Sequence, residues 1–554
     1  MQISEELHNK KINTLTALRT ERLPWWTMWR QIADYYIPKR YIWLMSTTER
    51  SRYLTMNGNI LDATGTTAGR VLAAGMMNGV TSPSRPWFKL RLANYNDDAD
   101  LASRVWLDEV ERRMLLVMAE SNFYNCLAIM YIDLVFFGTA SMLIYEDYES
   151  VIRCYNNALG EFYLGQSARQ QVNTFAREFT YKVSQLEERW GKENCSDNVQ
   201  AAIKARGARL QEDVEICHLI EPNTGEYSVP KKFAYAECYW EKAGQKGRVL
   251  ASGGFTEMPG IFPRWELTGN DSYGTSPGLD ALGDVIQLQH ETRRKGQSLD
   301  YMVRPPMLLD IQLQHRPSAM LPGGQTFVAG LNNGNSGGGK PAYQVNPPLN
   351  EMTLDIREVQ GRIREIFNND LFKMISQLET VRSATEIDAR REEKLIQLGP
   401  VLERFENEAL DPAINRIYGI MQRANLLPEP PENLANAQLE IQYVSILSSA
   451  QSAVGVIPTE RFMQLVGNIS AVYPDAIDIP NWDNLLFDYA RDIGVKAKGI
   501  NTRDDISSQR NQRAQAEAME KGVAMAQPAA DAAKLLSETQ VGGGASALDR
   551  IMGG

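Results

Sequence analysis

The 554-residue chain predicts an α+β fold, and three observations carry that expectation. Strand signals dominate from about Gly138 to Trp265, where TASMLIYED, VIRCYNN, EDVEICHLIEP, KKFAYAECYWE and RVLASGGF alternate or carry aromatic and β-branched residues between turns. The chain before Ser121 and the chain after Gly278 read mainly as helix. Two charged helical pieces, TYKVSQLEERWG and DNVQAAIKARG, interrupt the strands rather than replace them, a mixture that suits segregated helices and an antiparallel sheet.

Taken in order, LTALRTERLPWWTMWRQIADYY gives an irregular apolar stripe through Leu15, Leu18, Trp25, Trp29, Ile32 and Tyr36. A tryptophan-rich face of this kind is core or subunit interface. Between Asp62 and Met77 the small residues Gly65, Ala68, Gly69, Ala73, Ala74 and Gly75 let another backbone approach closely, as in ordinary tight packing. Gly278 to Tyr301 reads as a helix that Ser276 caps and Pro277 opens at its first position. Val303 to Pro348 is rich in proline and glycine, and its PPMLLDIQL and QTFVAGL suit short strands. Leu349 to Phe367 carries Met352, Ile356, Val359, Ile363 and Ile366, a near-heptad stripe that needs a partner helix.

From Asn369 to Met421 an interrupted apolar segment precedes a strongly charged helix. Ser383 stands three residues before Glu386, the spacing of a capping box, which places a helix start at Ala384. Leu398, Val401, Leu402, Phe405, Ala409, Ile414, Ile417 and Met421 then fall near one face. Gly399-Pro400 and Asp411-Pro412 should bend or restart that path, because proline removes a backbone donor and crowds the preceding turn. After PEPPENLANAQ, LEIQYVSIL reads as a strand and leads into further helices. Asn501 to Gln527 is polar and alanine-rich, a long exposed helix, and VGGGASALDRIMGG has the composition of a flexible tail.

Length alone suggests about three or four domains. No apolar run reaches the ~18 residues of a membrane-spanning helix, since YIDLVFFGTASMLIY is broken by Asp133 and Gly138. MQISEELHNKKINTL carries acids and lacks the apolar core of a signal peptide, so the chain is expected to stay in the cytoplasm where it is made. Five scattered cysteines, with no CxxC pair and an odd count, argue against a disulfide framework and for buried thiols. Cys217-His218 is the sole adjacent Cys/His pair, and strand alternation would point the two to opposite faces, so no metal is expected. A net charge of -10 and a pI near 5.3 disfavour a tight DNA-binding module.

Two enzyme motifs are undone by proline. GNSGGGK, Gly334 to Lys340, has the spacing of a phosphate-binding loop, but Pro341 stands where a Ser or Thr hydroxyl would bind magnesium, and no helix pattern follows. GTSPG, Gly274 to Gly278, has the spacing of a nucleophile elbow, yet Pro277 has no N–H to offer an oxyanion hole. No catalytic residue and no cofactor is expected.

Five blocks carry a resemblance: WRQIADYYIPKR, then DATGTTAGRVLAAGMMNGVTSPSRPWFKL, SNFYNCLAIMYIDLVFFGTASMLIYED, FPRWELTGNDSYGTSPGLDALGDVIQLQHETRRKG and SATEIDARREEKLIQLGPVLERFENEALDPAINRIY. In this order, and over most of the chain between Trp29 and Met421, they resemble the head-to-tail connector, or portal, proteins of short-tailed bacteriophages. The resemblance implies a nonenzymatic virion protein forming a ring of typically twelve copies at one capsid vertex, through which double-stranded DNA is packaged and ejected. It implies contacts with terminase, major capsid and scaffold proteins, a tail adaptor and, at the crown, internal core proteins, with no membrane. It assigns residues 1–275 to a wing, 276–302 to a stem helix, 303–348 to a clip and 349–369 to a second stem helix. Residues 370–382 become a tunnel loop, 383–430 a long kinked wing helix and 431–554 the crown and C-terminal tail.

On this reading Lys373 and Arg382, flanking the loop, and Arg293, Arg294 and Lys295, fanning around the first stem helix, are candidates to meet DNA in the channel. The loop's Leu371, Phe372, Met374, Ile375 and Leu378 would narrow the bore with apolar side chains, although the same five residues also suit a short buried helix. Two rivals stand beside the portal reading: another ring-forming tail or adaptor protein, and a nucleotide-dependent enzyme.

Overall fold

The amino-terminal helix α1 (Glu5–Tyr36) starts where Ser4 accepts a hydrogen bond from the Leu7 amide, 3.3 Å, with Glu5 and Glu6 in the positive first turn. Pro24 lies inside this helix without ending it. The computed structural model describes residues 2–41, 44, 60–92, 101–225, 229–310, 325–328, 339–343, 346–376, 398–431, 439–443, 462–470, 473, 475, 478–492, 505–518, 531 and 534. They fall into two compact units, one of Met1–Arg91, Glu109–Glu429 and Leu439–Ala476, the other of Leu92–Asp108, Pro430–Gln438 and Ile477–Gly554.

In the first unit α2 (Pro38–Tyr41), α3 (Thr64–Val80), β1 (Phe88–Leu92), α4 (Leu101–Glu120, shared with the second unit) and α5 (Phe123–Phe137) lead to the sheets. Strands β2 (Met142–Asp147), β3 (Val151–Asn156), β4 (Phe162–Gln166) and β5 (Val172–Lys182) follow, then α6 (Val183–Trp190) and α7 (Asp197–Ala205). Strands β6 (Asp213–Pro222), β7 (Tyr235–Glu241), β8 (Ala251–Phe255) and β9 (Gly260–Ile261) complete this part. The antiparallel sheet β4-β5-β6-β7-β8 is covered on both faces. Leu15 and Leu18 of α1 pack with Tyr163, Ala176, Cys217, Leu219, Cys238 and Trp240 on one face. Val183 and Leu186 of α6 and Val199, Ala202 and Ile203 of α7 pack with Ile216 and Tyr239 on the other. The period of two is visible at Cys217 and His218: the thiol joins the α1 face, while the imidazole stacks on Tyr239 at 4.0 Å on the opposite one. All five cysteines are buried as free thiols.

Sequence reading finds β2, β3, β6, β7 and β8 and misses β4 and β5, placing TYK in a helix where it closes β5. A second sheet, β3-β2-β9, lies beside α5. That helix ends at Gly138 in the left-handed conformation, φ 76°, where a Cβ would stand 2.3 Å from the Gly274 carbonyl oxygen. The small residues of α3 seat large rings, as close packing requires. A Cβ on Gly69 would lie 2.3 Å from the Phe136 ring, and one on Gly75 would lie 2.2 Å from Phe372.

Beyond the sheets come α8 (Pro277–Asp280), α9 (Leu282–Val303), β10 (Met307–Asp310), β11 (Gln325–Val328), β12 (Gly339–Pro341), α10 (Leu349–Ile366) and α11 (Asn369–Ser376). Ser276 caps as expected, accepting from the Leu279 amide at 3.1 Å while its hydroxyl donates to the Phe136 carbonyl at 2.7 Å. The three short strands form the order β11-β10-β12, parallel then antiparallel. Lys340 and Pro341 therefore lie in a strand and not at the start of a helix.

Residues 398–405 form α12, a π-turn spans Glu406–Leu410, and α13 covers Asp411–Arg423. The bend expected at Asp411-Pro412 is absorbed by that π-turn, in which the Asp411 amide reaches back to the Glu406 carbonyl. The capping box at Ser383 and Glu386 lies outside the described residues. Strand β13 (Leu439–Tyr443) pairs with β1. In the second unit the helix Trp482–Asp492 and an exposed helix at 505–518 are tied by Arg510 and Asp483, with both contacts at 2.6 Å. Among the described residues no single helix is long and apolar enough to cross a membrane.

Candidate functional site

Two antiparallel helices, α9 and α10, form the part of the molecule that the sequence singles out for function. Near their base Leu282, Val285 and Leu288 of α9 are buried, as are Ile356, Val359 and Ile363 of α10, so the near-heptad stripe finds its partner within the chain. Gln289 accepts from the Leu61 and Asp62 amides at 2.7 and 2.9 Å and donates to the Asp62 carbonyl at 2.8 Å. Gln360 donates to the Asp62 carboxylate at 2.7 Å, and Arg362 pairs with Asp284 at 3.1 Å. These polar links fix the base of the helical pair to the chain entering α3.

Past Gln289 no α9 residue is buried. Leu299, Met302 and Val303 are 41%, 43% and 76% exposed, and Leu354 of α10 is 62% exposed. The three consecutive cations fan around α9. Arg293 and Arg294 are exposed, whereas Lys295 turns toward α10 and donates to Thr353 Oγ1 at 2.8 Å.

The expected loop over 370–382 requires a correction. Asn368 takes the left-handed conformation at φ 49°, and the chain then forms α11, not a loop, through Ser376. Leu371 and Phe372 are buried, the latter against Gly75 of α3. Their apolar surface is removed from water inside the subunit, so these two side chains do not line a bore. Lys373, Met374 and Ile375 lie on α11; Leu378 and Arg382 lie outside the described residues.

Sequence reading also misses how α12, the π-turn and α13 are held. Buried Arg264 meets both oxygens of Glu408, with Nη2 at 2.7 Å from one and Nε at 3.1 Å from the other, and the Arg264 amide adds a third bond at 2.9 Å. Buried Arg416 reaches Glu257 at 3.1 Å, and Arg423 bridges Glu257 and Glu146 at 2.8 and 2.9 Å. Tyr443 of β13 donates to Asp411. Burial, with Asp411 and Glu403 nearby, pushes the Glu406 carboxyl up to about 7. The sequence signal for these ion pairs is only a charge of each sign in segments 144 to 277 residues apart, which no local period can match.

In the sheet, burial holds His218 down to about 4, against the opposing pull of Glu237 at 2.8 Å. Arg177 Nε donates to His218 Nδ1 at 3.1 Å, so the ring's proton sits on Nε2 and points at Glu237. This polar group is sealed and structural. Among the described residues no three metal-ligating side chains converge.

The family model for the bacteriophage head to tail connecting protein matches residues 9–500. The chain belongs to that family. It is 38% identical over 523 residues to the probable portal protein of Bordetella phage BPP-1, which covers 94% of this chain and 93% of that one. It is 35% identical over 547 residues to the portal protein of Salmonella phage epsilon15, 97% of either chain. As a connector, the chain makes sense as a set of surfaces without a catalytic centre: a sheet-bearing body, a helical pair and three short strands.

Proposed function

We propose that this connector is a portal subunit: copies of it close into a ring, typically of twelve, at one vertex of the capsid, and DNA passes through the ring during packaging and ejection. The observation that carries the reading is kinship along nearly the whole chain with two proteins named as portals. In this assignment residues 1–275 form the wing, 276–302 and 349–369 the stem, 303–348 the clip, 383–430 the kinked wing helix and 431–554 the crown and tail. The tunnel segment narrows to the residues after α11.

The apolar side chains left exposed on the distal half of α9 and α10 support ring formation, because neighbouring copies would cover them, and head-to-tail contacts close when their rotation permits. Contact with DNA is independent of sequence and brief. A conduit that read base edges would stall, and a ring of many unpaired cations would add a counterion-release affinity that holds the duplex still. The acidic net charge fits such a conduit. The clip docks terminase during packaging and a tail adaptor afterwards; the wing meets capsid and scaffold proteins, and the crown meets internal core proteins.

Top-view electron micrographs of the purified protein test the proposal. A closed ring with a central hole is expected, and native mass spectrometry should find one large species. A protein that stays monomeric, even with scaffold protein present, overturns it.

A further inference from the structure

Arg293 stands two residues before Lys295 on α9, and Asp355 two residues after Thr353 on α10. Since Lys295 and Thr353 are bonded across the antiparallel pair, and Asp284 and Arg362 likewise, Arg293 and Asp355 lie at one level of the stem. Both are exposed, and no bond or ion pair joins them within the subunit among the described residues. Glu351, about one turn before Asp355, is exposed on the same strip of α10, and Arg294 is exposed beside Arg293. Arg362, two turns after Asp355 on that strip, is taken up inside the helical pair by Asp284 at 3.1 Å and Glu358 at 3.5 Å, while Arg357 and Arg364 project from a different strip, roughly a third of a turn or more away. α9 thus presents exposed basic residues and α10 exposed acidic ones, a basic and an acidic edge at matching height.

We propose that Arg293 and Arg294 of one copy pair with Asp355 and the flanking Glu351 of the next, so that these two arginines are subunit-contact residues and not DNA contacts. The inference rests on the ring reading. Rotation about a ring axis preserves axial level, so where the stem helices run along that axis the basic edge of each copy meets the acidic edge of its neighbour. Exposed Leu354 lies at the height of Arg294 and gives the contact an apolar centre. Contact of this kind is heterologous, and charge complementarity sets its register and rejects the mismatched arrangement.

A mixing experiment tests it. The R293E/R294E variant has two acidic edges, and E351R/D355R has two basic ones. Each alone should form at least about tenfold less ring than the unaltered protein at equal subunit concentration, since like charges face each other at every contact. Mixed one to one, they should assemble into rings of alternating subunits, as an even ring number allows. Circular dichroism of each variant checks that the subunit is folded, and recovery on mixing excludes misfolding as the cause. Normal rings from each variant alone, with only the arginine variant failing to retain DNA, would overturn the proposal in favour of a DNA contact. Failure of folded variants to assemble even when mixed would overturn the pairing itself. If the unaltered protein forms no ring, the underlying ring reading fails instead.

Discussion

The sheet-bearing body and the helical pair α9–α10, the proposed stem, handle charge in opposite ways. Where α1 meets the sheet, buried Arg22 donates to the Gly160 and Phe162 carbonyls at 3.0 and 2.7 Å, and its guanidinium lies 3.9 Å above the Tyr163 ring. Arg264 and Arg416 likewise find carboxylates inside the subunit. Along the outer stem, Arg293 and Arg294 face solvent, and large apolar residues are exposed near them. A buried cation has to be satisfied by its own chain before the chain is stable, whereas an exposed one is available to a neighbour. The body therefore carries its own stability, and on the proposed ring reading the stem is the part that assembly would complete.

The sharpest way to break this comparison is to remove an inward charge. Arg264→Ala leaves Glu408 without its cation and three further acceptors, Gln166 Oε1 and the Gln170 and Asp271 carbonyls, without their donor. The cost should be about 3–5 kcal/mol of subunit stability, typical of breaking a buried pair by deleting one partner. Urea unfolding of dissociated subunits reads it. A variant as stable as the unaltered protein would show that the buried charges do not hold the body together.

Next in size is the seat of α11. Gly75→Val puts side-chain atoms where the Phe372 ring now lies, 2.2 Å from an added Cβ. Overpacking of this kind costs about 1–3 kcal/mol, and it should also loosen α11 itself. Faster proteolysis of that helix, with the sheet still folded, is the expected result. Unchanged proteolysis would mean that Phe372 does not fix α11.

A smaller effect comes from the π-turn. In the folded chain the Glu406 carboxyl sits at about 7, above its ordinary value of 4.5. As pH rises from 4.5 through 7 the unfolded chain releases this proton before the folded one does, so the group subtracts stability, most fully above pH 7. Glu406→Gln should accordingly raise the melting temperature at pH 8 and leave it nearly unchanged at pH 4.5. A gain at the lower pH, or none at pH 8, would contradict the assignment. The sealed His218 has the opposite dependence, stabilising fully above about 6.5 and losing that contribution as pH falls toward 4. A pH profile of the E406Q variant against the parent cancels the histidine term.

The contrast also explains what could be read in the sequence. Local patterns exposed the α+β class, the capped start of the stem and the strands whose apolar residues alternate cleanly. Strand β5 escaped because Arg177 and Glu178 interrupt VNTFAREFTYK, and their partners lie elsewhere: Asn157 and His218 for the arginine, Arg19 and Tyr163 for the glutamate. The first half of the expected loop, which the sequence leaves open between loop and short helix, is decided as helix for a related reason. Leu371 and Phe372 look available until Gly75, almost three hundred residues earlier, supplies the groove that receives the phenylalanine. Sites made by distant residues are legible only once the fold has brought them together. The stem cations were visible from the start, but their directions were not, because three consecutive helical residues spread over most of a turn.

That spread allows the finest test, between neighbours of identical charge. Lys295 bonds Thr353 inside the subunit, whereas Arg293 and Arg294 face outward. In dissociated subunits Lys295→Ala should cost about 0.5–1.5 kcal/mol, the net worth of one hydrogen bond, and Arg294→Ala should fall within about 0.5 kcal/mol of zero, as for an exposed surface residue. In assembled rings the order should reverse, with Arg294→Ala lowering the dissociation temperature more and the loss shrinking in high salt, since exposed pairs are screened. Equal cost for both substitutions in the isolated subunit would show that Arg294 is already engaged within its own chain, and the division between a self-sufficient body and a stem awaiting its neighbour would have to be redrawn.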